Sequence, residues 1–213
     1  MLGELLRALR LFGDGRVALG PLAWARIGDD AWSAVALGAA GGPHGMLVVT
    51  VDQEDELRAF CNLISRRAPH GNQLAWALRR FELGCERDSS FEALSDHLLA
   101  LRALLEPEGP SSGLLAGRLA ALCATPEHRA ALSERIAAAV TLERALIAGS
   151  PGRRARGQAL SGEMADHLRA LLRDVICGHL DLDLPAVADG LLAAPGEEDD
   201  RAARRSVSEP VPV

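Results

Sequence analysis

The sequence predicts a mainly α (α+β) chain: a multi-helix bundle preceded by a small N-terminal β-sheet region. Three observations carry this. From residue 52 onward, leucine and alanine recur at helical spacing in one segment after another. Capping and breaking residues separate those segments. Before residue 50, glycines punctuate short apolar runs, the pattern of strands joined by turns. With 213 residues, 48% of them hydrophobic and 24% charged, the chain has the composition of a globular protein and the length to bury a proper core.

In chain order, Leu2 to Leu11 carry leucines at helical spacing and form one short helix. Three strands follow, in "RVALGPLAWARIG", "AWSAVALG" and "GMLVVTV", with Trp24 and Trp32 as core anchors. The alternative for that tryptophan pair is a base-stacking platform. In so aromatic-poor a chain, core filling is the stronger expectation, because aromatics dominate the burial of small cores. Residues 1–50 are therefore read as a small sheet region with one helix.

The helical part spans residues 51–194. Asp52 caps a helix running to Ala68, with Glu54, Asp55 and Glu56 in its first turn. Asn72 caps the next, which Gly84 closes. Ser89-Ser90-Phe91-Glu92 reads as a capping box opening "FEALSDHLLALRALLE". Pro107, Gly109 and Pro110 break the chain before the shorter helix "SGLLAGRLAALCA". Thr125-Pro126 is a cap followed by proline at the first helical position, and it opens the longest helix, stopped by Gly149 and Pro151. A polar loop with Arg153, Arg154 and Arg156 comes next. The last helix runs from Glu163 to Cys177 or His179, and "DLDLPAVADGLL" packs as a final turn. Residues 195–213 are acidic and proline-containing, with too little apolar mass to order.

Composition excludes several functions. All 23 basic residues are arginine, so no Walker lysine, Schiff base or kinase-type lysine exists. A net charge of −6 argues against a protein that coats nucleic acid without specificity. The run "ALGAAGGPHG" lacks dinucleotide-loop spacing and reads as a turn. No serine sits in a nucleophile elbow, and no cysteine has an evident histidine partner. Cys61, Cys85, Cys123 and Cys177 are widely spaced among apolar neighbours and read as reduced core thiols of a cytoplasmic protein. The N-terminus has neither a signal peptide nor a membrane span, and no cofactor motif is found.

Two segments echo each other, "SDHLLALR" and "ADHLRALLR", each with an Asp-His pair early in an amphipathic helix. A metal site would join His97 to His167 across the bundle. Neighbouring helix residues do not share a face, so Asp96 and His97 cannot line one site together. Solvated first-turn residues are the stronger expectation, and no metal site is assigned. His44, His70 and His128 fall in loops or at a helix start.

The succession "ALRRFELGCERDSSFEALSDHLLALRALLEPEGPSSGLLAGRLAALC", then "EHRAALSERIAAAVTLERALIAG", resembles the ApeA-like branch of the HEPN family, over roughly residues 76–149 with "LRALLRDVICGHL" as closing helix. The resemblance implies a helical bundle that dimerises. In active members an arginine and a histidine four to six residues apart act as a metal-independent ribonuclease. Histidine titrates near neutrality and the arginine fork fits phosphate. Here those positions read Glu143 and Ala148, followed by Gly149. A carboxylate repels phosphate and alanine transfers no proton, so the resemblance implies a silent site. Arg173 and His179 satisfy the spacing on a different helix and form the alternative catalytic pair.

The sequence thus points to a catalytically silent, homodimeric module that binds RNA, a nucleotide or a protein partner. Arg144, Arg153, Arg154 and Arg156 are its contacts to an anionic ligand. The small-residue run "IAAAVTLERALIAG" suits a self-association face as well as it suits packing inside one bundle. The alternatives are a ribonuclease using Arg173 and His179, and a purely structural interaction module. In a cleavage assay run with chelator, the wild-type chain is expected to leave RNA intact. Cleavage that disappears in His179→Ala would establish the ribonuclease instead.

Overall fold

The computed structural model describes residues 2–13, 17–18, 20–36, 47–67, 72–150 and 154–193. Within them the chain is a bundle of eight α-helices with one two-stranded antiparallel sheet near the N-terminus. Helix α1 (Leu2–Phe12) precedes the hairpin formed by β1 (Leu22–Ala25) and β2 (Ser33–Ala36). The bundle continues with α2 (Glu54–Arg66), α3 (Asn72–Glu86), α4 (Ser90–Leu105) and α5 (Leu115–Cys123). It closes with α6 (Arg129–Ile147), α7 (Arg154–Cys177) and α8 (Leu184–Ala193).

Although it comes before the sheet in sequence, α1 packs with the bundle, against α2, α3 and α7. Its Ala8 and Leu11 join Phe60, Phe81 and Leu168 in one continuous core. Helix α4 lies at the centre, packed chiefly on α3 and α7 and also touching α5, α6 and α8. Nine of its residues are buried, Asp96 and His97 among them.

Several helix limits differ from the sequence expectation, each for a local reason. Gly84 does not end α3, which runs on to Glu86. A Cβ at Gly84 would fall inside the ring of His97, so the glycine lets α3 and α4 approach closely. Helix α7 starts at Arg154 rather than Glu163. Gly157, inside the segment expected to be loop, sits where a Cβ would strike the ring of Phe91 on α4. The C-terminal segment is a ten-residue helix rather than a turn. The Asp183 carboxylate accepts from the Ala186 N–H at 3.2 Å, an N-cap with Pro185 just inside the helix.

Helix starts were foreseen in position more than in chemistry. Ser89 is the N-cap of α4, but its hydroxyl makes no capping bond, and Glu92 reaches Arg87 at 3.4 Å instead. Thr50, not Asp52, opens the 3₁₀ turn Val51–Gln53 ahead of α2, its backbone N–H donating to the Gln53 side chain at 3.3 Å. Thr125-Pro126 opens a 3₁₀ turn that leads into α6.

The sheet is smaller than expected. Pro21 has no N–H to give a ladder, and β1 begins only after it. Residues 47–50 form no strand, and Val48 and Val51 lie exposed. A β-rich composition makes a strand only where a neighbouring strand can pair with it. The expectations for residues 195–213 and for His44 and His70 lie outside the described residues. No described helix is long and apolar enough to cross a membrane.

Two glycine substitutions test the packing account. Gly84→Ala forces the buried His97 ring to move and should cost about 2 kcal/mol. Gly162→Ala, in the exposed interior of α7 with open space around it, should instead stabilise by about 0.5–1 kcal/mol. Urea denaturation of the two variants reads both signs.

Candidate functional site

The end of α6 is where the family resemblance places chemistry. Its inward stripe is Leu132, Ile136, Ala139 and Glu143, spaced four, three and four along the helix. Glu143 is therefore a core position. Its Oε2 accepts from Nη2 of Arg102 on α4 at 2.6 Å, and both side chains are largely withdrawn from water. The carboxylate ties α6 to α4. An arginine at 143 would face Arg102 across that gap, so the active-site pattern is incompatible with this packing.

Ala148 and Gly149 form the stop of the same helix. Gly149 takes φ +78°, the Gly149 N–H donates to Leu146 O at 2.9 Å, and the Ser150 N–H donates to Ala145 O at 2.8 Å. This is a Schellman closure. Ala148 stands exposed at the C-cap.

Among the proposed ligand-binding arginines, Arg144 is exposed on α6. Arg154 and Arg156 belong to the first turn of α7 and not to a loop, because α7 begins at Arg154. Arg153 lies outside the described residues. Of the self-association run, Ala137, Thr141 and Ile147 face solvent, whereas Ile136 and Ala139 pack inward.

Arg173 and His179 are both exposed near the end of α7, separated by a reversal at Gly178 with φ +80°. His179 turns to Asp174: its backbone N–H donates to the Asp174 carbonyl at 2.8 Å, and its Nδ1 lies 3.5 Å from Asp174 Oδ1. Among the described residues no hydrogen bond links Arg173 to His179.

His97 and His167 are not brought together. His97 packs on Phe81, ring centroids 6.2 Å apart, between α3 and α4. His167 faces α6. Among the described residues no group of three His, Cys, Asp or Glu side chains could hold a metal ion. Nor are Asp96 and His97 solvated, as the sequence suggested. Asp96 is buried and receives Arg80 Nη1 at 3.0 Å and Arg87 Nε at 2.8 Å. Helix α4 is enclosed on both faces, so its polar residues become cross-links.

The largest departure is in the hairpin. Trp24 is 70% exposed and Trp32 62% exposed, so neither is a core anchor. The strands pair Leu22 with Ala36 and Trp24 with Ala34. Side chains two apart on a strand share a face, and so do directly paired ones. One face therefore carries Leu22, Trp24, Ala34 and Ala36, and the Arg26 guanidinium lies over the Trp32 ring at 5.8 Å. No described helix packs on that face, and the tryptophans stay outside. Leu22 and Ile27 are also exposed, as is Val35 on the opposite face.

The Arg102–Glu143 tie can be tested by a double-mutant cycle. Glu143→Ala strands a mostly buried guanidinium and should cost about 3 kcal/mol. Arg102→Met/Glu143→Leu, which removes both charges, should recover most of that loss. Equal losses in the two would show that the pair is incidental.

No known family model, curated protein or solved structure matches this chain.

Proposed function

We propose that the chain is a non-catalytic, HEPN-like helical module that works by docking protein, and that its first partner is a second copy of itself, joined through the N-terminal hairpin. The observation that carries this is the solvent exposure of Trp24 and Trp32 on an otherwise uncovered two-stranded sheet. Isolated hairpins are marginal in water, and a contiguous apolar surface of this kind marks an interaction site.

Three features favour a second copy. Strand β2, Ser33-Ala34-Val35-Ala36, is exposed along its whole length and has none of the lysines, prolines or inward charges that normally guard an edge. Antiparallel pairing of β2 with its symmetry mate is self-complementary, as a two-fold interface must be. The exposed side chains of Leu22, Trp24, Ile27 and Trp32 add apolar surface beside that edge, and Val35 adds more on the opposite face.

RNA is the less favoured occupant. Arg26 stacked on Trp32 resembles a base-stacking element, but Asp29 and Asp30 follow it and the chain as a whole carries −6. Silence at the ribonuclease position follows in this reading from the commitment of Glu143 to Arg102. A cytoplasmic setting is supported by four free cysteines.

Sedimentation or light scattering across a concentration series tests the proposal. The wild type should reach dimer mass, and Trp24→Ser/Trp32→Ser should stay monomeric with unchanged far-ultraviolet circular dichroism. A wild type that remains monomeric but binds a single-stranded oligonucleotide in a salt-sensitive manner would replace the protein partner with RNA.

A further inference from the structure

A second feature lies away from the hairpin, where α5, α6 and α7 meet. A cavity of about 370 Å³ opens there, lined by Cys123, Ala124, Thr125, His128, Ala131, Leu132, Arg135 and His167. Its volume is in the range of small-ligand pockets. The ionisable groups on its wall are two imidazoles, one guanidinium and one thiol, and no carboxylate lines it. Burial pushes the Cys123 thiol up to about 12, so it stays protonated and adds no negative charge.

The basic groups are oriented by neighbours behind the wall. Arg135 gives Nε to Glu163 at 2.6 Å and Nη1 to the Ala131 carbonyl at 3.5 Å. Among the described residues its Nη2 has no partner. His128 Nδ1 lies 2.9 Å from Thr125 Oγ1 and 3.6 Å from Glu127 Oε1, which leaves Nε2 of this exposed ring turned away from both. His167 Nε2 is screened from solvent yet has no hydrogen bond, with Glu163 Oε1 at 3.8 Å, beyond bonding distance. That nitrogen is closed to the cavity, so the contact His167 offers a ligand comes from the rest of its ring.

We infer that this cavity binds a small phosphorylated ligand, with the phosphate met by Arg135, His128 and His167 and the apolar part seated on Leu132, Ala131 and Ala124. Phosphate suits the arrangement because Arg135, His128 and His167 line one cavity and no carboxylate lines it. Leu132 is buried and the two alanines are small, so a flat organic group fits against them. The site is independent of the hairpin and requires no dimer.

His167 supplies the readout. Burial lowers its pKa from the ordinary histidine value, opposed by Glu163 and Asp166 on its own helix and reinforced by Arg135 on α6. A phosphate dianion beside the ring favours the imidazolium and moves the titration midpoint upward. The experiment is a histidine ring-proton NMR titration of the full chain in inorganic phosphate and in phenyl phosphate, against chloride at equal ionic strength.

Saturable shifts of His128 and His167, a raised His167 midpoint, and tighter binding of phenyl phosphate than of inorganic phosphate are expected. Arg135→Gln should weaken binding by about tenfold or more, the loss expected for one charge-assisted hydrogen bond. Because that change also releases Glu163, His128→Asn serves as a second variant at an exposed position, and it too should weaken binding. Shifts that never saturate with either probe, or binding unchanged in both variants, would overturn the site. Trp24→Ser/Trp32→Ser should bind as the wild type does, which keeps this result separate from that of the hairpin.

Discussion

The fold depends on how closely other helices can approach α4. A helix buried on nearly every side needs neighbours that surrender volume, and two glycines provide it. Gly84 on α3 accommodates the ring of His97, and Gly157 on α7 accommodates that of Phe91. Both clearances sit opposite rings carried by α4, so the three helices lock at fixed heights along one another. The leucines of α4, from Leu94 to Leu105, then meet partners on all sides.

Around that axis the arginines act as cross-links. Arg118 on α5 uses all five of its donors: two to each carboxylate of Asp189 and Glu108, and one to the Leu105 carbonyl at 2.7 Å. It thereby joins α5 to α8 and to the end of α4. Arg10 on α1 reaches the Val17 carbonyl at 2.7 Å and Glu86 at 3.1 Å. Arg67 reaches Ile176 O at 2.5 Å near the end of α7. A planar fork with several fixed donors suits this role better than an ammonium, and a chain without lysine uses it throughout. The Arg102–Glu143 pair is one more such tie. A motif that reads in sequence as an eroded active site is, in the fold, a structural crossing.

Much of the architecture was legible because helical periodicity and breakers are local signals. The α6 start at Thr125-Pro126, its stop at Gly149 and the overall helical class came through. What failed was whatever depends on a neighbour distant in sequence. Gly84 reads as an interruption until the ring opposite it is known, and nothing local marks Gly157 as a packing position. Trp24 and Trp32 read as core because nothing local reveals that no described helix packs on the hairpin. Asp96 and His97 read as solvent-facing, and Glu143 as a degenerate active-site position, because polarity alone does not show that α4 is enclosed. The Asp183-Leu184-Pro185 cap was a local signal and was readable; its small following segment concealed it. The basic cavity joins His128 and Arg135 to His167 on a separate helix, a proximity that periodicity cannot express.

The placement of the tryptophans also decides what light reports about this molecule. With no tyrosine in the chain, near-ultraviolet absorption and emission come almost wholly from Trp24, Trp32 and Trp76, which are 70%, 62% and 41% exposed. Arg80 lies 5.0 Å from the Trp76 ring, so even that indole sits beside a cation at the surface. The core is optically dark. Intrinsic fluorescence of the folded state already resembles that of indole in water, and melting the bundle changes it little. The same property makes the emission a selective gauge of anything that settles on the hairpin, because a shift to shorter wavelength then records covering of the surface rather than folding of the interior.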